Sequence, residues 1–195
     1  MKIILGSQSP RRRELMAGLD IPFEAVNINA DETFPDRLQQ GDIPLYISRA
    51  KAQAYASHLL PDDILITADT IVWLEGRILG KPQSEEDAKA MLRQLSGKTH
   101  IVYTGVTFLQ NGKYTSFVDA TEVSFRPLTD EEIDYYVARY RPLDKAGAYG
   151  VQEYIGYIGV RMMKGSYFNV MGFPIDRVYQ HLQDLLTDSK QLTNN

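Results

Sequence analysis

Short apolar runs, set off by Gly, Pro, Asp and Ser, alternate along this chain with stretches of helical period. Ile3-Ile4-Leu5 is a continuous apolar run that stops at Gly6, and Leu15, Met16 and Leu19 recur at helical spacing in the stretch that follows. The pattern predicts a buried strand at Ile3–Leu5, a helix from about Arg11 to Gly18 and a second strand near Phe23–Ile28, which is α/β grammar. Asn29 to Gly41 carries Asp31, Glu32 and Asp36 without any period and reads as a loop. Asp42 and Pro44 then open a long helix, with Lys51 on it, reaching about Leu60. Ile64-Leu65-Ile66-Thr67-Ala68 has the length and apolarity of a central strand and is expected to end at Asp69-Thr70. Ile71–Leu74 and Arg77–Leu79, around Glu75-Gly76, continue it as a hairpin.

Later signals are mostly caps and turns. Ser84 with Asp87 three residues on, and Thr129 with Glu132, open capped helices, the first closed by Gly97 and the second ending near Pro142. Thr99–Leu109 and Tyr114–Phe125 flank Asn111-Gly112, the strongest short hairpin signal, so two long antiparallel strands are expected. Asp144–Gly159 reads as a loop, Val160–Val170 as a hairpin turning at Gly165-Ser166, and Pro174–Leu186 as a terminal helix before a frayed Ser189–Asn195. A mixed sheet flanked by helices follows. Residues 1–188 are expected to form one domain whose lobes share that sheet, since no composition shift marks a linker.

Composition narrows the function classes. The 195 residues are 44% hydrophobic and 24% charged, ordinary globular material. The net charge of −4 and the pI near 5.4 argue against a nucleic-acid backbone binder. With no cysteine there is no disulfide framework, thiolate metal site or cysteine nucleophile, which suits a reducing compartment. No signal-peptide core and no run of membrane-spanning length appear, so a cytoplasmic protein with no membrane partner is expected.

Candidate chemistry begins with Ser7-Gln8-Ser9-Pro10-Arg11-Arg12-Arg13, at the junction of the first strand and helix. Pro10 suits the first helical position, Ser9 can cap, and the N–H groups and dipole of a helix start favour phosphate or carboxylate. Two readings stand here: an anion site, or an ordinary capped helix with solvated arginines. Successive residues do not share a helix face, so at most two of the arginines can reach one ligand. Asp69, at the end of a buried strand, is the strongest single candidate, because a carboxylate there costs free energy unless a cation or a hydrogen-bond network compensates it. The alternative for Asp69 is a turn cap. Lys51, Lys81 in Gly80-Lys-Pro82 and Lys145 beside Asp144 are possible anion contacts or solvated charges, and Lys145 equally an ion pair. Asp31 and Glu32 are solvated unless they join Asp69 around a hard divalent cation. His58, His100 and His181 form no zinc or triad spacing, and no Gly-x-Gly-x-x-Gly or Walker lysine loop occurs.

The ordered set Gly6–Arg13, Ala68-Asp69-Thr70, Leu79–Pro82, Leu95–Gly97, Asp144–Gln152 and Val170–Pro174 spans nearly the whole chain and resembles the Maf family of nucleoside triphosphate pyrophosphatases, in its branch acting on dTTP and UTP. The resemblance implies an elongated mixed α/β fold of the inosine triphosphatase-like group, with a cleft between two lobes. It implies Asp69 as proton acceptor and Arg11, Thr70 and Gln152 as the positions that set base specificity. Ser7, Arg12, Glu32, Lys51 and Lys81 fall where the family binds substrate or metal, Glu32 with Asp69 taking Mg or Mn, and Arg13 is left solvated. It also implies a homodimer acting on pyrimidine nucleoside triphosphates. A nucleotide-binding regulator of septum formation, without turnover, is the alternative. One departure is Glu153-Tyr154 after Gln152, where the family carries a glycine; Glu153 is expected to point to solvent.

Overall fold

The computed structural model describes residues 1–193, and side chains through residue 187. Among the described residues, seven strands form one mixed sheet in the order β2-β1-β3-β5-β6-β7, with β4 paired to β3. The strands are β1 (Ile3–Gly6), β2 (Glu24–Val26), β3 (Ile64–Leu74), β4 (Arg77–Leu79), β5 (Thr99–Gln110), β6 (Lys113–Phe125) and β7 (Val160–Lys164). The helices flanking them are α1 (Pro10–Ala17), α2 (Asp42–Tyr55), α3 (Glu85–Leu95), α4 (Asp130–Tyr140), α5 (Tyr154–Gly159), α6 (Tyr167–Val170) and α7 (Ile175–Thr193). The predicted mixed α/β class is what the chain adopts.

The chain divides into two compact units: Met1–Asp69 with Gly105–Val118 and Gly172–Asn195, and Thr70–Thr104 with Asp119–Met171. In the first unit β1 pairs in parallel with both β2 and β3, Gly6 lying opposite Thr67. The two faces of β3 then diverge by simple alternation. Ile64, Ile66 and Ala68 join Leu5, Met16, Phe108, Phe173 and Val178 in one apolar cluster. Leu65 packs with Ala52 of α2 in another, and farther along this face Thr67 Oγ1 donates to the Ser48 carbonyl of α2 at 2.7 Å. Ser48, Lys51 and Ala52 share one helix face at i, i+3 and i+4, so the register that buries Leu65 also turns Asp69 towards Lys51. α2 lies so close to β5 that a Cβ on Gly105 would sit 2.4 Å from Leu45 N, and only glycine fits there.

In the second unit the core gathers Val72, Leu92, Val102, Val123, Tyr136 and Ile155. The β3–β4 hairpin turns at Glu75 and Gly76, with φ of 48° and 83°, and Asn111-Gly112 turns with 50° and 73°; positive φ at both central residues is the hairpin geometry those dipeptides predict. Thr129 and Glu132 complete the expected capping box of α4, and Ser84 Oγ accepts from Asp87 N at the start of α3.

Five local expectations are corrected. β3 does not stop at Asp69-Thr70 but runs unbroken to Leu74, because Ile71, Val72 and Leu74 find their own buried partners. Ser9 makes no side-chain cap on α1; its N–H instead donates to Ser7 Oγ at 3.1 Å. The predicted Val160–Val170 hairpin is a strand followed by α6, since β7 pairs with β6 and Ser166 Oγ caps the short helix through Asn169 N. The predicted loop Asp144–Gly159 contains a 3-10 turn at Ala146–Ala148 and the helix α5. The helix α7 continues past Leu186 to Thr193. Of the tail predicted at Ser189–Asn195, the side chains and residues 194–195 lie outside the described residues.

The histidines take structural places. His181 stacks on Phe117, with ring centroids 4.7 Å apart, and His58 on Tyr55 at 4.8 Å. His100 is 1% exposed, with Nε2 2.7 Å from Tyr149 Oη, and burial pulls it from its ordinary 6.5 down to about 4. The folded protein therefore refuses a proton that the unfolded chain accepts as pH falls below 6.5, and the stability so lost, about 3 kcal/mol, is fully gone once pH has dropped through about 4. In urea unfolding between pH 7 and 4, His100→Gln is expected to show a shallower loss of stability with acid than the parent. Equal slopes would mean that His100 titrates with an ordinary value.

Candidate active site

Asp69 and Lys51 form the centre of the site in the first unit. Lys51 Nζ lies 2.7 Å from Asp69 Oδ1 and 2.8 Å from Glu32 Oε1. The lysine and aspartate side chains are 12% and 15% exposed and the glutamate 51%, so the ammonium is held by one sheltered and one solvent-facing carboxylate. Asp31, by contrast, accepts from Thr33 N at 2.9 Å, which lowers its pKa, and serves its own loop. Thus, of the two loop acids, Glu32 joins Asp69 and Asp31 does not.

Arg12 reaches back from the first turns of α1, donating through Nη1 to the Ala68 carbonyl and through Nε to the Gly172 carbonyl, both at 2.8 Å. These bonds fix the backbone next to Asp69. Burial lowers the Arg12 pKa, with Arg11 adding to that effect while the charges of Asp69 and Glu32 oppose it. Arginine is a strong enough base to remain a cation there. The same four groups thus share one electrostatic neighbourhood. Ser7 is buried at the end of β1, with its carbonyl accepting from Arg13 Nε at 3.0 Å. Arg13 also donates to Asn27 Oδ1 at 3.2 Å, so the expected solvated arginine is in fact a brace for the turn. Local periodicity could not show this, because both partners come from the strand-to-loop side of the turn.

Two carboxylates already converge on a single cation here. Among the described residues no cluster of three or more His, Cys, Asp or Glu forms a metal site, but Mg²⁺ is commonly held by one or two carboxylates together with water and substrate phosphates. Glu32 and Asp69 meet that smaller requirement.

The second unit holds the remaining predicted residues. Thr70 follows Asp69 on β3, and its Oγ1 lies 3.0 Å from Thr104 Oγ1 of β5. Thr104 is fully buried and was not signalled by composition; the clue in sequence is a lone hydroxyl in the apolar alternation Val102, Thr104, Val106, Phe108. Lys81 is exposed on the turn after β4. This turn is tied down by the Gly80 carbonyl, which accepts from Gly147 N at 3.0 Å, while nothing lies within 4 Å of where a Gly80 side chain would start. Gln152 lies in the segment between the 3-10 turn and α5, and its Oε1 is buried without a hydrogen-bond partner.

Glu153 departs from expectation. Its carboxylate accepts from Tyr136 Oη and lies 3.1 Å from Lys145 Nζ, which in turn lies 2.8 Å from Asp144 Oδ1. Gly150 N donates to Tyr136 Oη at 3.0 Å, so tyrosine, glutamate and lysine together brace the segment that carries Gln152. Burial, then donation to Glu153, holds the Tyr136 phenol above the ordinary tyrosine range. Glu153 does not point to solvent: it is only 18% exposed, because a 9%-exposed ammonium requires a counter-charge.

A family model described as Maf-like protein matches residues 2–185. A protein of Phocaeicola vulgatus named dTTP/UTP pyrophosphatase is 56% identical over 185 residues, covering 94% of this chain and 96% of that protein. A protein of the same name from Bacteroides thetaiotaomicron is 53% identical over 185 residues, with 94% and 96% covered. Among solved structures, the Staphylococcus aureus Ham1 protein aligns at 15% identity and a TM-score of 0.46, covering 83% of this chain and 92% of that one. Among the described residues no helix is long and apolar enough to cross a membrane.

Removing the Glu153 carboxylate leaves a buried ammonium and a buried phenol short of a partner. Glu153→Ala is expected to lower stability by about 3 kcal/mol in thermal or urea unfolding, and Lys145→Met in the same chain to restore part of it. A cost below about 0.5 kcal/mol would mean that water screens the pair after all.

Proposed function

The chain belongs to the Maf family, and on that premise we propose that it hydrolyses dTTP and UTP to the nucleoside monophosphate and pyrophosphate. The observation that carries the reading is the Lys51 ammonium set between Asp69 and Glu32, beside Arg12: a sheltered base among fixed cations. Asp69 takes a proton from the attacking water as the water oxygen bonds to the α-phosphorus. The bond from that phosphorus to the bridging oxygen breaks, and pyrophosphate leaves with its electron pair. Negative charge spread over the phosphate oxygens in this transition state is met by Lys51, Arg12 and Lys81, with Ser7 and the start of α1 supplying hydrogen bonds. Arg12 acts as a charge held in place, since two of its donors are engaged with backbone carbonyls.

Glu32 and Asp69 would hold a divalent cation, Mg²⁺ or Mn²⁺, with the substrate phosphates. Bound there, such an ion supplies charge neutralisation and a lowered pKa for water. Thr70 and Gln152, with Arg11, read the edge of the pyrimidine; the unpartnered Gln152 Oε1 supports this, because a buried acceptor is costly until a ligand donor reaches it. Absence of cysteine suits a cytoplasmic setting, and the assembly in this reading is a homodimer, the commonest form among soluble oligomers.

Incubating the purified chain with Mg²⁺ or Mn²⁺ and a panel of nucleoside triphosphates is expected to release pyrophosphate most readily from dTTP and UTP. No product from any of them would favour a nucleotide-binding regulator. Asp69→Asn is expected to lower kcat by at least about a thousandfold while the circular dichroism spectrum stays that of the parent. A variant with near-normal turnover would remove Asp69 from the mechanism. Lys81→Ala is expected to lower kcat/KM about tenfold to a hundredfold, the loss of one charge-assisted phosphate contact. Unchanged steady-state constants would make Lys81 a solvated surface charge.

A further inference from the structure

Thr104 touches neither phosphate nor metal residues, yet its hydroxyl stands directly behind Thr70. Its Oγ1 lies 3.2 Å from the Asn169 backbone carbonyl and 3.0 Å from Thr70 Oγ1. A carbonyl oxygen has no proton to give, so Thr104 is the donor in the first contact. A hydroxyl has one proton. Thr104 is therefore the acceptor in the second contact, and Thr70 spends its own proton on Thr104.

The arrangement has little freedom to reverse. Thr104 and Asn169 are both fully buried, and although Asn169 Oδ1 has no hydrogen-bond partner, the Thr104 hydroxyl meets both of its contacts inside the protein. The Asn169 side chain is pinned as well, its Nδ2 donating to the Val102 carbonyl at 3.0 Å and to Thr121 Oγ1 at 2.9 Å. Thr121 in turn donates to the Ser166 carbonyl at 3.1 Å. Each hydroxyl in this set ends on a backbone carbonyl, which fixes its polarity.

We propose that Thr104, anchored on Asn169, is a positioning residue for base selection: it holds the Thr70 hydroxyl in its acceptor state, which suits the N3–H of uracil or thymine and opposes the N3 lone pair of cytosine. The edge of uracil or thymine carries one donor, N3–H, between two carbonyl oxygens. An acceptor-only hydroxyl can bind that edge only at N3. Facing cytosine, the same oxygen would set a lone pair against a lone pair, whereas a freely turning hydroxyl would donate and accept it. The discrimination thus comes from taking away one of the two options a threonine ordinarily has. This rests on the reading above that Thr70 meets the base.

The test is the ratio of kcat/KM for UTP over CTP in Thr104→Val, Thr104→Ser and Thr70→Val. Thr104→Val removes the acceptor that takes the Thr70 proton, and its ratio is expected to fall about tenfold, chiefly through a rise for CTP. Thr104→Ser keeps the hydroxyl and is expected to keep the parent ratio. Thr70→Val is expected to lose most of the discrimination. If Thr70→Val lowers the ratio but Thr104→Val does not, Thr104 has no part in selection while base reading by Thr70 stands. An unchanged ratio in Thr70→Val overturns base reading by Thr70 and this proposal with it. Equal losses on both nucleotides in Thr104→Val, with the ratio kept, make Thr104 only structural. Thr104→Ala, which removes the same oxygen without adding a methyl group to the core, gives the same reading if the valine variant does not fold.

Discussion

A carboxylate placed after five consecutive buried strand residues costs free energy unless a cation or a hydrogen-bond network compensates it, and the pairing of Asp69 with Lys51 answers that constraint. Much of the first unit can be understood as what it takes to bring that ammonium to the strand. Ser48 and Ala52 dock the same helix face onto β3 through one hydrogen bond and one apolar contact, and the close approach at Gly105 sets the depth of the helix. Arg12 fixes the peptide just before Asp69 from the opposite direction in sequence. The carboxylate is thus positioned by its backbone as well as by its charge partner.

The polar groups of the second unit follow a different logic. Tyr136, Glu153 and Lys145 brace one segment with charge, while Thr104, Thr121 and Asn169 orient one another with neutral bonds that end on backbone carbonyls. Charge tolerates variation in angle; a neutral hydroxyl relay fixes direction.

What the sequence discloses depends on how local the cause is. Asn111-Gly112, Glu75-Gly76 and the Thr129–Glu132 box act within four residues, so their residue types announce their geometry. Asp69 was legible for a related reason: a charge at the end of an apolar run stands out, although the strand's continuation to Leu74 depended on partners far along the chain. Glu153 and Arg13 look solvated in sequence because their partners, Lys145 and Tyr136 for one and Ser7 and Asn27 for the other, become neighbours only through folding. Thr104 gave a single faint sign, a hydroxyl where the alternation calls for an aliphatic group.

Gly105 ends as the most exacting position in the first unit without having any chemistry of its own. A methyl group there would have to push the start of α2 away from β5, and Lys51 travels with that helix. The Lys51–Asp69 pair would then be pulled apart from a position that contacts neither side chain. A spacer with no polar group of its own thus governs an ion pair that it does not touch. The distance between a helix and a strand is in this sense inherited by every side chain the helix carries.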